Sequence, residues 1–133
     1  MKTGAISELF EDGGLIIHKS INESIFDFQY NEIVSLFEKY GVILFRGFDL
    51  KPKEITNITD LYTEKYARDA YRRKTRFNEK NIHDVDIGSD AHTLHSEGSY
   101  SPASPEIIWF YCNFPSIIDI EIMTHSILVI FHF

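Results

Sequence analysis

A single cysteine, Cys112, stands in 133 residues. That excludes any intrachain disulfide and makes the reducing cytoplasm the expected location. Cys112 itself falls in an apolar run and reads as a small buried hydrophobe. Long apolar runs are missing too: no stretch approaches the roughly 18 apolar residues needed to cross a bilayer. The N-terminal M-K-T-G-A-I-S-E-L-F-E-D lacks the continuous apolar core of a signal peptide, so a soluble, intracellular protein is expected. Positive charge is scarce: 13 Lys plus Arg stand against 20 Asp plus Glu, a net charge of −7. Nucleic-acid backbones and anionic membranes both reward cations, so neither is expected as a main partner. The one basic cluster, residues 68–76 (R-D-A-Y-R-R-K-T-R), reads either as a solvated helix end or loop or as a contact for an anion or a substrate carboxylate.

What is present is enough for a core. At 44% hydrophobic and 14% aromatic residues, the chain fits one globular domain, 1–133. Gly13-Gly14 punctuates its start, and residues 15–18 read as a short strand able to reach a sheet edge. Between 27 and 40, Ile33, Leu36, Phe37 and Tyr40 share one helical face, with Asp27 as the expected N-cap and Gly41 as the stop. The unbroken apolar run 42–45 has the pattern of a strand buried on both faces. Pro52 suits the first turn of a second helix, expected to reach Tyr66 with Ile55, Ile58 and Tyr62 inward. Residues 71–91 are polar and aperiodic, either a loop over a site or an exposed connection. Residues 107–112 (I-I-W-F-Y-C), flanked by Pro105 and Pro115, read as a buried core strand.

Chemistry gathers in residues 90–105, D-A-H-T-L-H-S-E-G-S-Y-S-P-A-S-P. If 94–97 is extended, His95 and Glu97 project from the same face, because side chains two apart in a strand share a side. An imidazole and a carboxylate so placed supply two members of a 2-His-1-carboxylate triad, the set that holds non-haem Fe(II) and leaves positions open. Gly98 lets the chain turn away without crowding. With six His and 20 Asp plus Glu, about one His-x-Asp/Glu pair arises by chance, so the flanking residues must decide. Asp84, Asp86 and Asp90 read as solvated or capping residues. His83 and His92 are spare imidazoles, since a third ligand normally comes from a distant strand. Tyr100 and Trp109 read either as packing residues or as walls of a substrate pocket.

Those flanks, L-H-S-E-G-S-Y-S-P-A-S-P-E-I-I-W-F-Y-C-N-F-P, with G-V-I-L-F-R-G-F upstream, resemble the taurine dioxygenase (TauD/TfdA) family of Fe(II)- and 2-oxoglutarate-dependent dioxygenases. The Glu in the metal motif, followed by a Ser-Tyr pair, is similar to the clavaminate-synthase-like branch. The resemblance spans residues 33–115. It implies an α+β fold: a partial double-stranded β-helix, or jelly roll, covered by N-terminal helices, with the 107–112 strand beside the metal strand. It further implies that His95 and Glu97 bind iron, with 2-oxoglutarate as cosubstrate, and that O2 is used to oxidise a small organic molecule, usually by hydroxylation. Glu97 fills the position that halogenating relatives leave for chloride, which favours hydroxylation.

After Pro115 the resemblance leads one to expect Gly-Gly-Glu-Thr, the threonine helping to hold 2-oxoglutarate. Here Asp119 and Ile120 stand for the glycines and Ile122 for the threonine, while Glu121 fits. The distal metal His and the Arg that clamps the cosubstrate's far carboxylate have no counterpart in this chain. His125 and His132 stand in the wrong place to substitute and read as ordinary strand residues. The apolar ending S-I-L-V-I-F-H-F would be an aggregation-prone edge if unpaired. The chain thus reads as the N-terminal part of a longer protein, whose missing half or a separate chain would complete the site. The alternatives are an inert or weakly metal-binding remnant, and a binding module that keeps the pocket without the redox chemistry.

Overall fold

The computed structural model describes residues 6–11, 13–67, 73–84, 105–112 and 126–131. Among these residues, five strands and two helices give an α+β fold. The elements are β1 (Ile6–Phe10), β2 (Gly13–His18), a 3-10 turn (Ile25–Asp27), α1 (Tyr30–Tyr40), β3 (Val42–Arg46), α2 (Pro52–Tyr62), β4 (Ile107–Tyr111) and β5 (Ser126–Phe131). One mixed sheet runs in the order β1-β2-β3-β5-β4. The parallel pair β2 and β3 is joined through α1, and the other three pairings are antiparallel.

The first helix starts later than its periodicity suggests. Ser24 and Asp27 cap each other in a turn of their own: the Asp27 carboxylate accepts from the Ser24 N–H at 2.9 Å, and the Ser24 hydroxyl accepts from the Phe26 N–H at 3.3 Å. Phe28 and Gln29 are then extended, so α1 begins at Tyr30, with Glu32 accepting from the Gln29 N–H at 3.4 Å. At its other end Gly41 adopts φ 70° and donates to the Phe37 carbonyl at 2.8 Å, the left-handed cap that glycine adopts without Cβ strain. Ile33 and Phe37 are buried, with Leu36 and Tyr40 packed beside them.

The second helix opens at Pro52 as expected, and Glu54 accepts from the Lys51 N–H at 2.8 Å. It stops at Tyr62, four residues short of the expected Tyr66, because Thr63 turns to φ −122°. Tyr66 then folds back to donate to Asp60 and to meet the Thr59 hydroxyl at 3.1 Å. Such a return is impossible if the helix continues.

Strand β3 is buried on both faces, as its composition indicates: Ile43 is 0%, Leu44 8% and Phe45 2% exposed. Leu15, Ile17, Ile43 and Phe45 form one side with Ile33, Phe37, Ile55 and Ile58 from the helices, each such burial contributing about 1.5–3 kcal/mol. Ile16 and Leu44 lie directly opposite one another on the other side, and the same row continues through position 128 to Phe110. Ile16 and Leu44 are buried as well, so the sheet presents apolar side chains on both faces.

Three strand expectations are corrected. The 15–18 strand is not an edge, because β1, which gave no periodic signal, pairs outside it. The 107–112 run is an outer strand of the described sheet and is buried chiefly on one side: Ile107, Trp109 and Tyr111 pack on the core while Phe110 is 37% exposed. The apolar ending is no open edge over 126–131, since β5 is hydrogen-bonded to β3 on one side and β4 on the other.

Candidate functional site

His95, Glu97 and Tyr100 lie outside the described residues, as do His92, His125, His132, Asp86 and Asp90. The structure does place the two ends of the chain that carry them. On the upstream side, residues 74–84 fold into a tight loop. Thr75 and His83 form a bridge, Arg76 N–H donates to the Ile82 carbonyl at 2.8 Å, and Asp84 N–H donates to Lys74 at 3.1 Å. Phe77 and Asn78 make the reversal with φ of 57° and 60°. Glu79 ties this loop to α2, accepting from the Thr56 hydroxyl at 2.8 Å with Lys53 Nζ at 4.0 Å.

Within the basic cluster, Arg73, Lys74 and Arg76 are exposed. Arg76 donates to Asp84, and this contact raises its pKa. Asp84 is therefore an ion-pair partner within the loop. His83 lies beside it, half-buried, with Nδ1 enclosed and without a hydrogen-bond partner among the described residues. Among those residues no three His, Cys, Asp or Glu side chains gather closely enough to hold a metal ion.

On the downstream side, Ile108 of β4 shares a row with position 130 and Val42, so β4 begins at the end of the sheet where α1 hands over to β3. Tyr111 fixes the other end of β4, its hydroxyl donating to the Leu50 carbonyl at 2.9 Å. It thereby clamps the corner at which Gly47 (φ 83°) and Asp49 (φ 48°) turn β3 into α2. Burial raises the Tyr111 pKa, and the electrostatic influence of Asp49 and then Cys112 acts in the same direction.

Trp109 projects into the layer between sheet and helices. Its ring meets Phe37 edge-on at 6.5 Å and Tyr62 at 5.7 Å, and Tyr62 stacks on Tyr30 at 5.1 Å and 15°. The indole Nε1 is buried and has no hydrogen-bond partner among the described residues. Burial, with Tyr30 adding to it, pushes the Tyr62 phenol up to about 12. The sequence reading missed this stack. Tyr30 begins one helix and Tyr62 ends the other, so neither helix's own periodicity brings them together.

The sequence model of the Taurine catabolism dioxygenase TauD, TfdA family matches residues 14–116. No curated protein matches the chain. The matched span begins in β2, upstream of the segment whose resemblance is legible by eye, and it includes His95, Glu97 and Trp109. It ends where the 119–122 departure from Gly-Gly-Glu-Thr is about to begin.

Proposed function

We propose, from the premise that this chain belongs to the TauD/TfdA family, that it is a single domain of an Fe(II)- and 2-oxoglutarate-dependent dioxygenase acting on a small organic substrate in the cytoplasm. The observation that carries the proposal is the family match across residues 14–116, which encloses the H-S-E-G motif. Two of the three donors that suit ferrous iron are in this chain, a neutral imidazole from His95 and a carboxylate from Glu97, and these two would hold the ion while the distal His of the family pattern has no counterpart here. When bound, iron with 2-oxoglutarate supplies the activation of O2 and the oxidation of a C–H bond.

The chain's own part is to hold and to shield. His95 must present an unprotonated ring nitrogen and Glu97 an ionised carboxylate, so binding weakens as acid protonates either. Tyr100, three residues beyond Glu97, is placed in this reading at the substrate pocket. Trp109 enters it as a support, wedged behind β4 against Phe37 and Tyr62. Ile16 and Leu44 supply an apolar sheet face of the kind that the inner layer of a jelly roll needs. Hydroxylation is favoured over halogenation because Glu97 occupies the chloride position of halogenating relatives. Glu97 and the Ser-Tyr pair that follows it favour the clavaminate-synthase-like branch within the family.

A second reading rests on Asp119, Ile120 and Ile122. A hydrocarbon at 122 offers no hydroxyl to an anionic cosubstrate, and this favours a member that binds without turnover. Anaerobic addition of Fe(II), then of 2-oxoglutarate, separates the two. A visible charge-transfer band on adding 2-oxoglutarate is the expected result. Iron binding without that band supports the binding module, and the absence of both contradicts the proposal.

A further inference from the structure

Trp109, Tyr62 and Tyr30 form a continuous line from the sheet to solvent. Successive ring centres are 5.7 Å and 5.1 Å apart, and Tyr30 is 54% exposed. We propose that this line is a redox relay, carrying one-electron oxidising equivalents from the β4 strand to the protein surface. Its purpose, protection of an interior that handles oxygen, rests on the dioxygenase reading above; its chemistry does not.

Indole and phenol are the side chains most readily oxidised by one electron without bond rearrangement. A one-electron oxidant takes an electron from the Trp109 ring and is itself reduced by one. The resulting indole radical cation would ordinarily lose its N–H proton, but Nε1 is buried without an acceptor among the described residues. Among the described residues the other ring touching Trp109 is Phe37, which is too hard to oxidise to accept the hole, so Tyr62 is the exit. An electron passes from Tyr62 to Trp109, restoring the indole, and one from Tyr30 restores Tyr62. The near-parallel 15° stack of the two phenols provides the overlap for that last step.

The proton leaves at the end of the line. Tyr62 is half-buried, whereas Tyr30 is 54% exposed, so the Tyr30 hydroxyl is the one that meets bulk water and gives up its proton there. The balance is one electron from Tyr30 to the oxidant and one proton from Tyr30 to solvent. A neutral tyrosyl radical is left where a small external reductant can return one electron and one proton.

Pulse radiolysis of the metal-free full chain with azide radicals tests this, because azide radicals oxidise indole in preference to phenol and the chain holds one Trp. The indole radical signal is expected to convert into a tyrosyl signal at a rate independent of protein concentration. Tyr62→Phe, which keeps the ring packing, slows that conversion roughly tenfold or more. Tyr30→Phe lowers the tyrosyl yield, while Tyr40→Phe, outside the line, changes neither. No conversion in the unaltered chain, an unchanged rate in Tyr62→Phe, or a rate that rises with protein concentration overturns the relay. Iron and 2-oxoglutarate are absent throughout, so this outcome is separate from that of the iron titration.

Discussion

Single residues in this chain do work that their neighbours in sequence do not announce. Tyr62 closes a helix of modest amphipathicity, yet it is the middle ring of the Tyr30–Tyr62–Trp109 line, and among the described residues its phenol is the group shifted furthest by the fold. With its folded pKa raised from 10.0 to about 12, the unfolded chain releases the Tyr62 proton first as pH rises. Stability from this group is therefore whole below pH 10 and is lost as pH climbs toward 12. Urea unfolding across that window is expected to show falling stability with a shallower fall in Tyr62→Phe. The slope is not abolished, because Tyr66 and Tyr111 are shifted upward as well. Gly41 is the opposite case, a residue whose role is legible in advance: it follows an apolar helical face and precedes a strand, and only a left-handed cap fits there.

At the scale of elements, local patterns told most where one signal sufficed. Helix α1, strand β3 and the Pro52 start of α2 all follow from periodicity, β-branched content and a proline at the first turn. The errors came where two signals competed over a few residues. Asp27 looked like the cap of α1, but the Ser24–Asp27 pair closes a separate turn first. Strand β1 carries Glu and Ser among its five residues and owes its place to pairing with β2. The apolar ending looked like an exposed edge because sequence cannot say that β5 returns between β3 and β4 across a long separation. The loop 74–84 also lacked a signal, since what fixes it is Glu79, bonded to Thr56 some 23 residues earlier. Glu79→Ala is expected to leave global stability within about 1 kcal/mol, the usual scale of one part-exposed hydrogen bond, while freeing the loop. Limited trypsin digestion checks this: cleavage after Arg73, Lys74, Arg76 or Lys80 should quicken in the variant. Equal rates would mean that the tether does not hold the loop.

For the molecule as a whole, the family was legible in residues 33–115 by their motifs, and the family match over 14–116 extends it through β2 and α1. The α+β class was what the resemblance implied, and the two helices and mixed sheet among the described residues agree with it. The sheet's apolar second face, with Ile16 and Leu44 buried on it, was visible only in three dimensions. The proposed iron ligands, which lie outside the described residues, were singled out by flanks that resemble the family, since an imidazole and a carboxylate two residues apart arise about once by chance in such a composition. The substrate was not, because selectivity in such folds depends on the shape of loops and not on any local code. The account's central claim is that His95 and Glu97 hold ferrous iron together. Anaerobic Fe(II) titration of the full chain beside His95→Ala and Glu97→Ala tests it most directly: one iron per chain is predicted, with affinity falling roughly tenfold or more in each variant, whereas variants that bind iron as tightly as the unaltered chain would contradict it.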